Sequence, residues 1–159
     1  MLKHLLSTPQ PRRGQAIAAN LLPVDQAALL PPGWSPESAA VDVTGWAYVP
    51  ARCANVTCGV HVHYHCCGCN WRELSTSYML GNGLPGYAEG IGLVVVYPQA
   101  STQGPFGQDC WDWSGSTGED TFDTRASVQL GLALSMMGHV TDSLRRGRRP
   151  VGFPSTLHV

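Results

Sequence analysis

Residues 58–69, which read CGVHVHYHCCGC, are the most informative part of this chain for its fold. Apolar side chains alternate with histidines up to residue 65, and residues two apart on a strand share one face of a sheet. The alternation predicts a strand over residues 59–65, with Val60, Val62 and Tyr64 on one face. The cysteines and glycine that follow predict a tight turn, which is where α/β enzymes present backbone amides to a substrate.

The opposite face of the predicted strand carries His61, His63 and His65. Alternate histidines lie ~6.6 Å apart along a strand, and two of them can share one zinc ion if further ligands come from elsewhere. A protein that binds metal through these histidines and the neighbouring cysteines is therefore one alternative. No carboxylate or further histidine follows at a telling spacing, so we predict that the chain needs neither a metal nor another cofactor.

The remaining pattern alternates strands with helices. Residues 91–97, IGLVVVY, form a continuous apolar run closed by Pro98, which is typical of a strand buried on both faces of a parallel sheet. Residues 45–49 predict another strand, while residues 20–30 fit either a short helix or an extended segment. Helices are predicted over residues 73–80, 84–89 and 123–139, the first with Asn70 as its cap. The order indicates an α/β fold, and about three strands suggest only part of a sheet.

Length and charge restrict the function classes. A chain of 159 residues fits one domain, and a net charge of −1 gives no general attraction to nucleic acid or to an anionic membrane. No segment has the ~20 apolar residues that span a bilayer. The apolar run at the N-terminus is too short for a signal peptide, so we expect no export signal in this chain. We predict an unstructured lead-in over residues 1–19, a domain over residues 20–142, and a basic, disordered tail over residues 143–159.

Six cysteines in a chain of this size indicate an oxidising compartment or a metal site. Structural disulfides are the preferred interpretation. Cys53 and Cys58 bracket a short loop and could pair directly, and Cys110 could join the cysteines of residues 66–69. The other interpretation is a cysteine nucleophile activated by His65.

A serine nucleophile is not evident. The nearest string to a Gly-x-Ser-x-Gly elbow is SGSTG at residues 114–118, which lacks the first glycine and follows a tryptophan-rich loop. We therefore interpret it as a turn. Trp111 and Trp113, in the string CWDWSG, fit either a local core or the wall of an apolar substrate cleft.

Several strings in order resemble one family. They are GWAYVP at residues 45–50, residues 58–67, LVVVYPQ at residues 93–99, CWDW at residues 110–113 and TRASVQ at residues 124–129. Together they are similar to the C-terminal part of the extracellular poly(3-hydroxybutyrate) depolymerases, over roughly residues 20–140. That family consists of serine esterases with a circularly permuted α/β-hydrolase fold, whose nucleophile, acid and histidine come early in the chain.

The resemblance implies roles for particular residues. The family's His-Gly-Cys turn corresponds to residues 65–67, so Cys67 would give a backbone N–H to the oxyanion hole and form a disulfide with Cys110. A second family disulfide corresponds to Cys53 and Cys58. His65, Trp111 and Trp113 would lie at the substrate cleft. Cys66 replaces the family's glycine and Cys69 is an additional cysteine.

The resulting hypothesis is part of a carboxylesterase that acts on an ester or polyester outside the cell. This chain would supply the oxyanion turn and the cleft, without the nucleophile, and would be inactive alone. The alternative from a different class is a non-catalytic, disulfide-stapled binding module. The sequence does not fix the natural substrate, the oligomeric state or the roles of Cys66 and Cys69.

Overall fold

The computed structural model describes residues 13–101 and 108–148 of the chain. Its centre is a four-stranded sheet with the strand order β1-β2-β4-β3. The strands are β1 (Leu21–Asp25), β2 (Thr44–Tyr48), β3 (Gly59–Val62) and β4 (Leu93–Tyr97). The helices are α1 (Trp71–Leu74), α2 (Ser77–Gly81), α3 (Leu84–Ile91) and α4 (Val128–Arg145), with 3-10 turns at Ala18–Asn20, Ala27–Leu29 and Ala51–Ala54.

The sheet is mixed. β3 runs parallel to β4, β4 is antiparallel to β2, and β2 is antiparallel to β1. A parallel pair needs a long crossover, and the crossover from β3 to β4 contains the helices α1, α2 and α3. The predicted α/β class is confirmed. β1 is a fourth strand, formed by the segment for which the sequence had left helix and strand open.

The apolar run at residues 93–97 behaves as predicted, because all five residues of β4 are buried. Val94 and Val96 face a core formed with Leu132 and Met136 of α4. Val95 and Tyr97 face the other core, which contains residues of α2 and α3. The period of two along a strand therefore places one helical layer on each side of the sheet.

β3 is shorter than predicted, since it ends at Val62, although the amide of His63 still donates to the carbonyl of Val96 at 2.8 Å. Val60 and Val62 pack against the α4 side of the sheet, as the alternation indicated. β3 is one of the two edge strands of the described sheet, with β4 as its neighbour. The backbone leaves the sheet before residue 65, and the turn begins there.

Two helix predictions differ from the structure in their limits. The helix expected over residues 73–80 is divided into α1 and α2 at Ser75, whose φ is 55°. Asn70 caps α1 as predicted, because its side chain accepts from the amides of Arg72 and Glu73. The long helix α4 starts later than expected, behind the Ser127 cap, because the side chain of Ser127 accepts from the amide of Leu130.

Some residues of the expected lead-in and tail belong to the described part of the fold. Within the expected lead-in, Gly14 donates to the carbonyl of Gly86 at 2.8 Å, and the amide of Ile17 donates to the Tyr48 hydroxyl at 2.9 Å. At the other end, α4 continues past residue 142 to Arg145. The rest of the expected lead-in and tail, residues 1–12 and 149–159, lies outside the described residues. Among the described helices, none combines the length and apolarity needed to cross a membrane.

Candidate functional site

The turn that follows β3, residues 65–70, places a buried histidine before exposed cysteines. His65 is 4% exposed, whereas Cys66 and Cys67 are exposed. The turn closes through the amide of Cys69, which donates to the carbonyl of Cys66 at 3.1 Å. Gly68 has a φ of 69°, a left-handed conformation that glycine adopts without steric cost. The sequence pattern Cys-Gly-Cys therefore gives a tight, exposed bend.

The His65 ring joins this turn to the segment that follows β4. Its Nε2 accepts from the amide of Ala100 at 3.0 Å, and its Nδ1 lies 2.8 Å from the carbonyl oxygen of Cys66. Because Nε2 accepts, the proton of the neutral ring is assigned to Nδ1, which donates to Cys66. Burial lowers the pKa of His65 below its ordinary value of 6.5, so the ring is neutral at physiological pH. Both ring nitrogens are used within the protein, and the ring holds the turn in place.

The loop of residues 108–113, here called the tryptophan loop, is attached to the turn. Cys67 and Cys110 form a disulfide, the pair that the family resemblance implies. The Trp111 indole N–H donates to the carbonyl of His65 at 3.0 Å, and the amide of Gly68 donates to the carbonyl of Gln108 at 3.0 Å. A covalent bond and main-chain hydrogen bonds thus make one unit from segments about 40 residues apart in sequence.

Asp109 is a central residue of this unit that sequence reasoning missed. It is 2% exposed, and its carboxylate accepts from the amide of Gly68 at 2.9 Å and from the amide of Asn70 at 2.8 Å. One carboxylate therefore satisfies two amides of the turn. No sequence signal marks it beyond its position next to Cys110, because its partners lie far away along the chain.

Gln99, the last residue of the string YPQ, is a second missed residue. Its side-chain oxygen accepts from the amide of Trp71 at 2.8 Å, which attaches the start of α1 to the segment after β4. Its own amide donates to the side-chain oxygen of Gln26 at 2.8 Å. Both glutamines are buried, and a buried glutamine in a loop indicates such backbone contacts.

The amides of Cys66 and Cys67 remain as potential donors. Within the described residues, neither amide donates to a protein acceptor. Their neighbours His65, Gly68 and Asn70 are all fixed by the contacts above. The arrangement therefore holds exposed residues with available N–H groups in a defined position, which suits the binding of an anionic oxygen.

The two tryptophans have different environments. Trp111 is half-buried, with its ring 4.9 Å from the Tyr64 ring in an edge-to-face contact and 5.2 Å from the His65 ring. It borders an open cavity of about 300 Å³ together with Tyr64 and Phe122. Trp113 is 71% exposed and does not line this cavity. Trp111 is thus part of the support of the turn, and Trp113 presents apolar surface to solvent.

The string SGSTG forms a turn around a carboxylate. Asp112 accepts from the amides and hydroxyls of the residues that follow it, which are Ser114, Gly115, Ser116 and Thr117. Burial alone would raise the pKa of Asp112, but the donors from Thr117, Ser114 and Ser116 outweigh it and keep that pKa well below its ordinary range. The prediction of a turn rather than a nucleophile elbow is confirmed.

All six cysteines form disulfides. Besides the bond from Cys67, these are Cys53–Cys58, also implied by the resemblance, and Cys66–Cys69, which the sequence had left open. No cysteine is therefore free to act as a nucleophile or as a thiolate ligand. In the described parts of the chain, no group of three or more His, Cys, Asp or Glu residues is arranged to hold a metal ion.

The three histidines of the metal alternative have different neighbours in the structure. The rings of His61 and His63 are 6.4 Å apart, and His63 contacts the Tyr78 hydroxyl at 3.2 Å. Burial lowers the pKa of both rings below the ordinary value. His65 is directed to Ala100 instead.

Comparison with known proteins gives related sequences. No protein-family model matches the chain. It is 28% identical over 145 residues to a poly(3-hydroxybutyrate) depolymerase of Delftia acidovorans, a match that covers 89% of this chain and 28% of that protein. It is 25% identical over 120 residues to a polyhydroxybutyrate depolymerase of Talaromyces funiculosus, covering 66% of this chain and 34% of that protein. The chain therefore spans about a third of the length of these relatives.

Solved structures give the same fold. The crystal structure of PHB depolymerase from Penicillium funiculosum matches with a TM-score of 0.66 at 21% identity, and a PHB depolymerase complexed with an R3HB trimer matches with a TM-score of 0.65 at 22% identity. Each match covers 93% of this chain and 47% of the solved chain. Sequence and fold together identify this chain as a relative of the polyhydroxybutyrate depolymerases.

Proposed function

We propose that this chain supplies the oxyanion turn and one wall of the substrate cleft of an extracellular carboxylic ester hydrolase. The observation that carries the proposal is the amide of Cys67, which has no acceptor among the described residues, while its neighbours His65 and Gly68 are held by hydrogen bonds and its side chain by a disulfide. In ester hydrolysis, such an amide binds the negative oxygen of the tetrahedral intermediate.

The contacts around Cys67 preorganise this donor. The disulfide to Cys110, the carboxylate of Asp109 and the ring of His65 hold the turn before any substrate arrives. A donor that is already in place requires no reorganisation during the reaction, and one oxyanion donor contributes roughly 10²–10³-fold to kcat in serine hydrolases. In this proposal His65 is a positioning residue, and Cys67 contacts the reacting oxygen.

In this proposal the nucleophile is not part of this chain and comes from a segment that completes the fold. β3 is an edge strand of the described sheet, and the turn follows its carboxyl end. A further parallel strand paired with this edge would bring its carboxyl end next to residues 65–70, which is where α/β enzymes place catalytic groups. The proposed cleft would then lie between the tryptophan loop and the added segment.

The proposed substrate is an ester of short hydroxy acids. One solved relative is described as complexed with an R3HB trimer. The exposed indole of Trp113 offers an apolar surface for the methyl groups of such a chain, as aromatic side chains commonly do in ligand sites. Three disulfides fit an enzyme that works in an oxidising compartment outside the cell.

The first test uses the chain alone. We expect no hydrolysis of p-nitrophenyl butyrate by the purified chain. Hydrolysis that disappears on changing one serine to alanine would locate a nucleophile within this chain and contradict the division of roles.

The second test supplies the other part of the fold. This chain replaces the matching segment of the Penicillium funiculosum enzyme, and disulfide mapping and circular dichroism establish that the hybrid folds. Within the hybrid, the Cys67→Ala/Cys110→Ala pair keeps the amide, whereas Cys67→Pro/Cys110→Ala removes it. We expect the proline variant to lose roughly 10²–10³-fold in kcat relative to the alanine variant. Equal kcat values in the two variants would rule out Cys67 as an oxyanion donor.

A binding module without catalysis is the second candidate, favoured by the high exposure of Trp113. In that case the chain alone would bind a trimer of (R)-3-hydroxybutyrate, Trp113→Ala would abolish binding measured by calorimetry, and the folded hybrid would stay inactive.

A further inference from the structure

We propose that Asn55 is the attachment site of an N-linked glycan. Residues 55–57 read Asn-Val-Thr, which is the acceptor sequence Asn-x-Ser/Thr with a residue other than proline in the middle. The chain has four asparagines, and Asn55 alone has serine or threonine two positions later. This inference does not rest on the proposed ester hydrolase function.

The environment of Asn55 suits modification. Asn55 and Thr57 are exposed, and Val56 between them is 48% exposed. In the described part of the chain, the side chain of Asn55 has no hydrogen-bond partner. Its amide nitrogen is therefore accessible.

The other asparagines are used within the fold. The side chain of Asn20 donates to Glu89 at 2.7 Å, Asn70 caps α1, and the side-chain oxygen of Asn82 accepts from the amide of Leu84 at 3.0 Å. Asn20 and Asn70 are also buried. Structure and acceptor sequence thus select the same residue.

The local backbone presents the acceptor sequence as a surface loop. The 3-10 turn Ala51–Ala54 ends at Asn55, and the Cys53–Cys58 disulfide closes the loop behind it. The loop borders an open groove of about 310 Å³ against Thr141 and Leu144 of α4. A glycan would project from this loop and shield the exposed Val56.

The position is compatible with the candidate site. Asn55 precedes the amino end of β3, whereas the turn of residues 65–70 follows its carboxyl end. A glycan on Asn55 therefore lies at the opposite end of this strand from the oxyanion turn. We expect modification to leave the Cys67–Cys110 unit unchanged.

The chemical step is a glycosyl transfer from a polyprenyl-diphosphate-linked oligosaccharide in the secretory pathway. The Nδ2 of Asn55 attacks the anomeric carbon of the first sugar, and a C–N bond forms while the bond from that carbon to the diphosphate oxygen breaks. The amide loses one proton, and the lipid diphosphate leaves with the bonding electron pair. No oxidant or reductant is needed. The same compartment is the one in which disulfides form.

The test is translation of the full chain, behind an added signal sequence, into microsomes, with protease protection identifying the translocated molecules. We expect the protected wild-type chain to contain a species whose mobility shifts on peptide N-glycosidase treatment, with Asn55 converted to Asp in the released peptide. Asn55→Gln and Thr57→Ala should each lose that species. Thr57→Ser is the matched control and should keep it, because serine also completes the acceptor sequence.

A protected wild-type chain that shows no glycosidase-sensitive species would overturn the proposal. Retention of that species by Asn55→Gln would do so as well, since another residue would then carry the sugar. Protease protection measures translocation independently of modification. A failure of modification is therefore distinguishable from a failure of export, and neither result depends on esterase activity.

Discussion

The two ends of β3 each carry a disulfide-held loop, but the two loops are built differently. At the amino end, Cys53–Cys58 joins residues 5 apart, and the loop's hydrogen bonds connect near neighbours such as Val56 and Arg52. At the carboxyl end, Cys67–Cys110 joins residues 43 apart, and a buried carboxylate adds further long-range contacts. The short-range disulfide closes a local loop. The long-range disulfide and its hydrogen bonds hold the main chain of the turn against a distant segment. The first loop carries the proposed modification site, and the second forms the proposed oxyanion turn.

The largest expected effect comes from removing the long-range disulfide. Loop closure in the unfolded chain costs more for longer loops, so Cys67→Ala/Cys110→Ala should lower the free energy of unfolding by about 4 kcal/mol, against about 2 kcal/mol for Cys53→Ala/Cys58→Ala. Urea denaturation monitored by tryptophan fluorescence gives both values. Equal losses would show that the two cross-links stabilise the fold alike and would contradict the proposed difference between the two loops.

The next effect concerns the buried carboxylate at the carboxyl end. Asp109→Ala leaves the amide of Asn70 without its acceptor and leaves the amide of Gly68 with the carbonyl of Gln108 alone. The change should lower the free energy of unfolding by about 2–3 kcal/mol, since bonds to charged groups are the stronger ones. Hydrogen exchange should accelerate at those two amides first. Asp120→Ala is the control, because Asp120 is exposed and its change should stay within about 0.5 kcal/mol. If both variants have the same stability, Asp109 does not organise the turn.

The smallest expected effect is a pH dependence confined to the carboxyl end. Burial lowers the pKa of His65 in the folded protein, while the unfolded chain protonates near the ordinary value of 6.5. The unfolded state then binds more protons, so the contribution of the neutral ring to stability is complete above that value and is lost as the pH falls below it. Protonation also places a hydrogen on Nε2, which must then release the amide of Ala100.

Amide hydrogen exchange separates the two ends in this experiment. Between about pH 7 and pH 5, where histidine changes charge, the protection factor of the Ala100 amide should fall, while that of the Cys53 amide should remain constant. His65→Gln should make the Ala100 amide insensitive to pH. An equal fall at both amides would assign the effect to global unfolding, to which His61 and His63 also contribute.

Much of the fold was predictable because its signals are local. The apolar run of β4, the alternation of β3 and the Asn70 cap each depend on residues within a few positions of one another, and the structure confirms them. The helix limits were less predictable, because Ser75 interrupts one helix and Ser127 sets the start of another. Residues 20–30 do not distinguish a helix from the strand β1, because β1 is stabilised by its pairing with β2, a segment outside that range.

The candidate site was predictable only in outline. The family resemblance indicated His65, Cys67, Trp111 and Trp113, and their environments in the fold differ from one another. His65 and Trp111 are occupied with backbone contacts, whereas Trp113 is exposed. Asp109 and Gln99 could not be predicted, because each is defined by amides from distant segments and not by any pattern around it.

The period of each strand, the cysteines available for cross-linking and the acceptor sequence at residues 55–57 can be read from the order of residues, since these depend on neighbours along the chain. Which amides of the turn are satisfied and which remain donors can be read only from the folded protein. The carboxylate of Asp109, which accepts from the amides of Gly68 and Asn70, lies about 40 residues away along the chain, and folding brings it within hydrogen-bond reach.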